Sequence, residues 1–189
     1  MSSDELIRLK TEFRSRLIST IDALNSRQKQ VYDLKINQQL KVLEPILNAT
    51  HVFCFLSVNH EVDTHEFIDW LINQGKNVSI PKIIKGEMLA ARFPGWQNLI
   101  SGKFGIREPE QINIISSPVD VCITPGTGFS PCGGRLGLGQ GYYDRWFLEN
   151  MATFKIAPAY ELQVVDDLPV ENHDIPVDLI VTEKRILRP

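Results

Sequence analysis

Five glycines, Gly133, Gly134, Gly137, Gly139 and Gly141, fall between an apolar run from Val119 to Thr124 and an amphipathic run from about Tyr142 to Asn150. Each glycine loses more backbone freedom on folding than other residues do, which a merely structural loop has little reason to accept, so something must approach this backbone closely. The segment reads as strand, glycine loop, helix, the unit from which layered α/β domains are built. Glycines interleaved with side chains let successive amide N–H groups converge on an anion, and a helix start adds its positive dipole end. Within the segment Arg135 offers a two-pronged phosphate donor, and Asp144 an oxygen ligand for magnesium. The plain alternative is a glycine-rich turn in which Arg135 and Asp144 are solvated or pair with each other. No glycine-lysine-serine/threonine ending follows, so this is not a P-loop, and the spacing of Gly137, Gly139 and Gly141 misses the dinucleotide fingerprint.

The rest of the chain agrees with this class. Leu6, Leu9, Phe13 and Leu17 recur at helical spacing behind Ser2 or Ser3 as N-cap, and a second helix is expected from about Arg27 to Leu47. His51 to Val58 reads as a buried strand, and Thr64 as the cap of a helix ended by Gly75. Strands are predicted around Val78, from Met88, from Val119, near Lys155 to Tyr160 and from Asp178. The expectation is one domain spanning residues 1–189, a three-layer α/β/α domain with a mixed, mostly parallel central sheet. Its site is expected at the carboxyl edge of the strands. Trp70, Trp96 and Trp146 are expected in the core.

Composition narrows the partners. With 43% apolar and 23% charged residues over 189 positions the chain is an ordinary globular protein, and a formal net charge of -3 gives no global field for nucleic acid. No apolar run is long enough for a membrane helix, and Met1 to Leu9 mixes Asp4, Glu5 and Arg8 with isolated apolar residues, unlike a signal peptide. Cys54, Cys122 and Cys132 follow no metal or disulfide spacing. Cytoplasmic localisation is expected, with small-molecule partners and a monomer or weak homodimer. His60, Glu61 and His65 resemble a zinc helix only superficially, because the histidines stand five apart across a strand-to-helix turn.

The order Pro125, Gly126, Phe129, then Gly134 to Asp144 (GRLGLGQGYYD), resembles the signature of the 5-formyltetrahydrofolate cyclo-ligase family. The resemblance touches most of the chain and is strong from Pro125 to Trp146. It implies ATP as co-substrate, with Arg135 and the loop of Gly137, Gly139 and Gly141 on its phosphates and Tyr142 and Tyr143 beside it. It also implies magnesium at Asp144. Lys10, Phe13 and Arg14 match the family's Lys-x-x-Leu-Arg element, which makes Lys10 and Arg14, together with Arg135, the catalytic cations. Ser19 and Thr20 stand where basic residues are often found. Glu61, at the end of the first strand, is the expected folate contact, with Leu56 as apolar neighbour. The loop atoms of Leu138, Gly139 and Gln140 and the Tyr142 ring are expected near the substrate, although Leu138 and Gln140 occupy variable positions. Gly102 to Pro109 resembles a substrate-enclosing loop, in which Arg107 is an atypical residue. Leu168 to Asp174 resembles the stretch where the residue matching Asp174 approaches the metal.

The implied reaction is ATP-dependent conversion of 5-formyltetrahydrofolate to 5,10-methenyltetrahydrofolate, by phosphorylation of the formyl oxygen and ring closure. Two other readings compete from the residues alone. Arg135 to Gly139 before a helix loosely resembles a pyrophosphate loop of coenzyme A or nucleotide-using transferases, which would not require Asp144 or magnesium. The departures at Ser19, Thr20, Leu138 and Gln140 would suit a non-catalytic folate- or nucleotide-binding domain.

Overall fold

The structure, a computed structural model, describes residues 2–102, 106–171 and 173–189. The helices are α1 (Ser3–Asp22), α2 (Ser26–Leu40), α3 (Glu44–Asn48), α4 (His65–Asn73) and α5 (Tyr142–Glu149). The central strands are β1 (His51–Cys54), β2 (Asn77–Ile84), β3 (Glu87–Arg92), β6 (Val121–Ile123), β9 (Phe154–Pro158), β10 (Leu179–Val181) and β11 (Ile186–Leu187). They form one seven-stranded sheet in the order β11-β10-β9-β6-β1-β2-β3. Neighbours from β10 to β2 run parallel, and the edge pairs β2/β3 and β10/β11 are antiparallel, giving the mixed, mostly parallel sheet expected. Two small antiparallel ribbons lie outside it: β4 (Leu99–Ser101) with β5 (Arg107–Pro109), and β7 (Gly128–Phe129) with β8 (Arg135–Leu136).

The three layers follow from the twofold alternation of strand side chains. Val52 and Cys54 of β1, and Val121 and Ile123 of β6, pack with Ile36, Leu40, Phe67, Ile68 and Leu71 of α2 and α4. The intervening Phe53 and Cys122 face the other way, onto Trp146 and Phe147 of α5. Strands buried on both faces must be apolar throughout, which is why β1 and β6 read as continuous runs. Fully burying a side chain such as Phe67 or Leu71 contributes roughly 2 kcal/mol, so the sheet's helix layers are held mainly by these stripes. Helix α1 packs differently: Phe13 and Leu17 meet Leu136 and Leu168, seating it on the small β7/β8 ribbon.

Four sequence expectations need correction. The single helix expected over 27–47 is two helices, because Pro45 cannot continue one; the break falls at 41–43 and Pro45 enters the first turn of α3. The strand expected to reach Val58 leaves the sheet after Cys54, where the Phe55 carbonyl instead accepts the Thr64 hydroxyl at 2.9 Å. For the same reason Thr64 occupies the N-cap position of α4 without capping it by its side chain. Ser2, by contrast, forms a full capping box with Glu5 at the start of α1. Of the tryptophans, Trp146 is buried; Trp70 and Trp96 are half-buried, and the Trp96 indole N–H donates to Asp69 at 2.6 Å.

Candidate active site

The strand order fixes where a ligand can bind. From β1 the chain crosses through α4 to β2 on one side, and from β6 through α5 to β9 on the other, so their connections part at the carboxyl ends of β1 and β6. Such a parting leaves a crevice, the usual ligand position in open α/β sheets. Here it is a cleft of about 870 Å³, within the range of small-molecule sites. Phe55, Leu56, Val58 and Glu61 line it after β1, Pro125, Gly126 and Thr127 after β6, and the glycine loop and the first turn of α5 close one side.

The structure brings together the predicted cationic residues. Arg14 Nε donates to the Gly137 carbonyl at 2.7 Å, tying the basic face of α1 to the glycine loop. Arg14 is partly stripped of water, which lowers its pKa, with Asp174 acting in the opposite sense. Lys10 is buried, and its Nζ lies 2.7 Å from both Glu171 Oε2 and Asp174 Oδ2. Burial alone would favour neutral Lys10, but hydrogen bonds and charge from Asp174 and Glu171 outweigh it and raise its pKa. Arg135 is only 4% exposed on β8. Its Nη2 donates to Asp144 Oδ1 at 2.7 Å and its Nη1 to the Pro125 carbonyl at 3.4 Å, while its buried Nε has no partner among the described residues. An Arg135–Asp144 pair was one of the two readings open from sequence, and it is formed here.

The glycines serve these arginines. A Cβ on Gly137 would lie 2.8 Å from Arg135 Nη1, and one on Gly139, whose φ is +93°, would lie 3.3 Å from the Arg14 guanidinium carbon. The close approach inferred from the glycine content is therefore made, at least at these two positions, by the cleft's own cations. Gly141 is the N-cap residue of α5 and supplies no capping side chain. Asp144 sits in the first turn of α5, where its Oδ1 also accepts the Ile175 N–H at 3.2 Å.

The aromatic wall is built from α5. Tyr143 stacks on Phe53 with centroids 6.2 Å apart, the Arg135 guanidinium lies 5.7 Å from its ring, and burial pushes its hydroxyl pKa well up. Tyr142 is half-buried beneath Arg145, 5.2 Å from its ring centre. Leu56 is buried, whereas Leu138 is 64% exposed and Gln140 is exposed on the rim.

Glu61, which also lines the cleft, closes a tight turn: its carboxylate accepts the Val58 N–H at 2.9 Å and its own N–H donates to the Val58 carbonyl. Burial pushes the Glu61 carboxyl up to about 7, against smaller opposing effects of the Val58 N–H and Lys29. Asp63, two residues on, is held down to about 2 chiefly by its hydrogen bond with His65. In the other predicted loop, Arg107 Nη2 donates to the Trp96 carbonyl at 2.6 Å and Glu108 pairs with Lys82 at 2.8 Å, while Lys103, Phe104 and Gly105 lie outside the described residues.

Sequence reasoning missed Glu171 and His173 as site residues. They join Asp174 in a group that could hold a metal ion, with donor atoms within 4.8 Å of one another. Their signal was the Glu171 to Asp174 spacing inside a stretch already singled out. Gln163 was also missed; its Nε2 donates to the Gly126 and Thr127 carbonyls at 3.0 and 3.1 Å, and no local pattern advertises it.

Residues 7–183 match the model of the 5-formyltetrahydrofolate cyclo-ligase family. The 5-formyltetrahydrofolate cyclo-ligase of Escherichia coli strain K12 is 33% identical over 173 residues, covering 87% of this chain and 94% of that protein. Among solved structures, the 5,10-methenyltetrahydrofolate synthetase of Aquifex aeolicus is 32% identical with a TM-score of 0.84, covering 95% of this chain and 92% of that one. The corresponding Mycoplasma pneumoniae enzyme is 26% identical with a TM-score of 0.74, covering 92% and 98%. Matched by the family model over residues 7–183 and by relatives along nearly its whole length, the chain belongs to the 5-formyltetrahydrofolate cyclo-ligase family.

Proposed function

We propose that this cleft carries the family's reaction, the ATP-dependent closure of 5-formyltetrahydrofolate to 5,10-methenyltetrahydrofolate with release of ADP and phosphate. The observation that carries the assignment is the Arg14 to Gly137 hydrogen bond, which holds the cations of α1 against the glycine loop and Arg135 in one wall of the crevice. A formamide carbon is a poor electrophile because amide resonance feeds it. Transfer of the γ-phosphoryl group to the formyl oxygen turns that oxygen into a leaving group. The second folate nitrogen then attacks the carbon, and phosphate departs as that nitrogen loses its proton. Such transfer needs positioning and charge neutralisation more than covalent help. Lys10, Arg14, Arg135 and the amides of Gly137, Gly139 and Gly141 would hold the phosphates, with Tyr142 and Tyr143 alongside.

Glu61, in the same cleft, would accept N–H donors of the folate, with Leu56 and Tyr142 packing the ring and the backbone around Leu138 to Gln140 closing over it. Magnesium fits the hard oxygen donors at Asp144 and Asp174, both of which line the cleft, and would neutralise phosphate charge there. Glu171 stands beside Asp174 as a further oxygen donor, whereas the His173 imidazole suits magnesium poorly. The protein would work on small molecules in the cytoplasm as a monomer or weak homodimer; separately, among the described residues no helix is long and apolar enough to cross a membrane.

Purified protein mixed with magnesium-ATP and (6S)-5-formyltetrahydrofolate should show the near-ultraviolet absorbance of the methenyl product, and Arg135→Ala should lose most of it. No product from folded protein beside an active control enzyme would sink the proposal and return the chain to a binding-only role.

A further inference from the structure

Behind the Glu61 wall lies a buried polar knot that no role above uses. Tyr160, just beyond β9, is fully buried, and its hydroxyl donates to Asp33 Oδ1 at 2.7 Å while lying 3.3 Å from the Glu61 carbonyl. Asp33 projects from α2; its Oδ1 also accepts the Asp63 N–H at 3.2 Å, and its Oδ2 holds Lys29 Nζ at 2.9 Å. Asn37, one turn further along α2, donates through Nδ2 to the carbonyls of Asp33 and Asp63, each at 2.9 Å. In the other direction the Tyr160 N–H donates to Gln163 Oε1 at 2.8 Å, and Gln163 holds the Gly126 and Thr127 carbonyls. The turn from Tyr160 to Gln163 is thus bonded to both loops that form the crevice.

A phenol and a carboxylate are expensive to bury, and their presence here implies that they fix something an apolar pair would leave loose. What they fix is the backbone of the Glu61 turn. Burial, and then the Asp33 carboxylate, drive the Tyr160 pKa far up, so the hydroxyl is a permanent donor. The turn itself contains Asn59 at φ +34°, a left-handed conformation that asparagine tolerates better than most residues. Its backbone is tied from behind at Glu61 and Asp63, which leaves the Glu61 side chain on the cleft wall.

We infer that Tyr160 and Asp33 are positioning residues that preset Glu61 for the folate, acting through the backbone of Glu61 and Asp63. The inference rests on Glu61 being a folate contact. Misplacement by a fraction of an ångström at the cleft wall is enough to degrade binding and alignment of a bound substrate.

The test uses the full chain with Tyr160→Phe, Asp33→Asn, Glu61→Gln and the Tyr160→Phe/Glu61→Gln double variant. Folate affinity is read by tryptophan fluorescence without nucleotide, and KM for ATP at saturating folate. Tyr160→Phe and Asp33→Asn should each weaken folate binding roughly five- to tenfold, the equivalent of about one lost hydrogen bond, with KM for ATP within about twofold. In the Glu61→Gln background Tyr160→Phe should add less than about twofold. A lower melting temperature with unchanged folate affinity overturns the inference, as does an equal loss in the Glu61→Gln background. If Glu61→Gln itself leaves folate affinity intact, the folate-contact reading has failed instead. A measurement on the unaltered protein decides even where a variant does not fold: the Asp63 amide should be protected from hydrogen exchange without ligand, and rapid exchange there excludes a preset turn.

Discussion

Replacing Glu61 by glutamine should stabilise the protein while impairing it, and the size of both effects follows from one carboxyl. In the folded chain that carboxyl titrates at about 7 against an ordinary value of 4.5, with burial as the main cause. Below pH 4.5 it is protonated whether the chain is folded or not, and its charge contributes nothing. As pH rises from 4.5 to 7 the unfolded chain ionises first, so folded stability falls through that window and the loss is complete above it. At 1.36 kcal/mol per tenfold, the difference between 4.5 and about 7 sets a ceiling of about 3 kcal/mol. Glutamine keeps an oxygen for the Val58 N–H and carries no charge at any pH. Urea melts of the two apo proteins at pH 5, 6, 7 and 8 should therefore show an advantage for Glu61→Gln that is small at pH 5 and grows to the order of 2 to 3 kcal/mol at pH 8. Every other ionisable group is common to both proteins and largely cancels in the difference. The same variant should raise KM for 5-formyltetrahydrofolate at least tenfold at pH 8, since a charge-assisted hydrogen bond contributes about 1.5–3 kcal/mol. A stability difference that shrinks with rising pH, or a variant that binds folate normally at pH 8, would refute the reasoning.

Gly137→Ala should leave the fold intact but lower kcat by about tenfold or more, because the new methyl group must displace the Arg135 guanidinium; circular dichroism beside steady-state kinetics checks both halves. Lys10→Met should raise KM for ATP and lower the melting temperature, because Glu171 and Asp174 lose the cation 2.7 Å from each; loss of one partner of a buried pair costs about 3 kcal/mol. Activity should vanish in excess chelator and return with magnesium, and isothermal titration should show ATP binding weakened at least tenfold without the metal.

The sheet and its two helix layers were legible because both periodicities stand in the sequence. The apolar runs at Val52 to Cys54 and Val121 to Ile123 match strands covered on both faces, and the glycine loop falls where the β6 connection must turn. Boundaries were less legible wherever a distant partner decides them. β1 ends at Cys54 because Thr64, ten residues on, captures the next carbonyl, and nothing in the run of Phe55 to Val58 signals that. The cations of the site were readable as a spacing on α1 and an arginine among glycines. Their carboxylate partners were not, because Lys10 meets Glu171 and Asp174 across more than a hundred and sixty positions. Tyr160 and Asp33 were invisible for the same reason, since each is unremarkable in its own segment and acquires meaning only where β9 passes behind the Glu61 turn.

The charge arrangement of the cleft explains why this family's chemistry sits naturally on it. Lys10 pairs with Glu171 and Asp174 and Arg135 pairs with Asp144, while Arg14 is tied to the Gly137 carbonyl, so the cations of this wall are held in place by the protein's own groups. Without carboxylates, cations this buried would be driven toward neutrality or apart; with them, the site is assembled before a ligand arrives. A polyphosphate that enters must take over the cations, and in doing so it leaves the carboxylates facing its own oxygens. A divalent cation held by Asp144 and Asp174 would remove that conflict by neutralising phosphate charge. On the proposed reading, the pairs that hold Lys10 and Arg135 in place would also be the reason for a metal requirement, because the carboxylates that position the cations are the ones a polyphosphate would have to share.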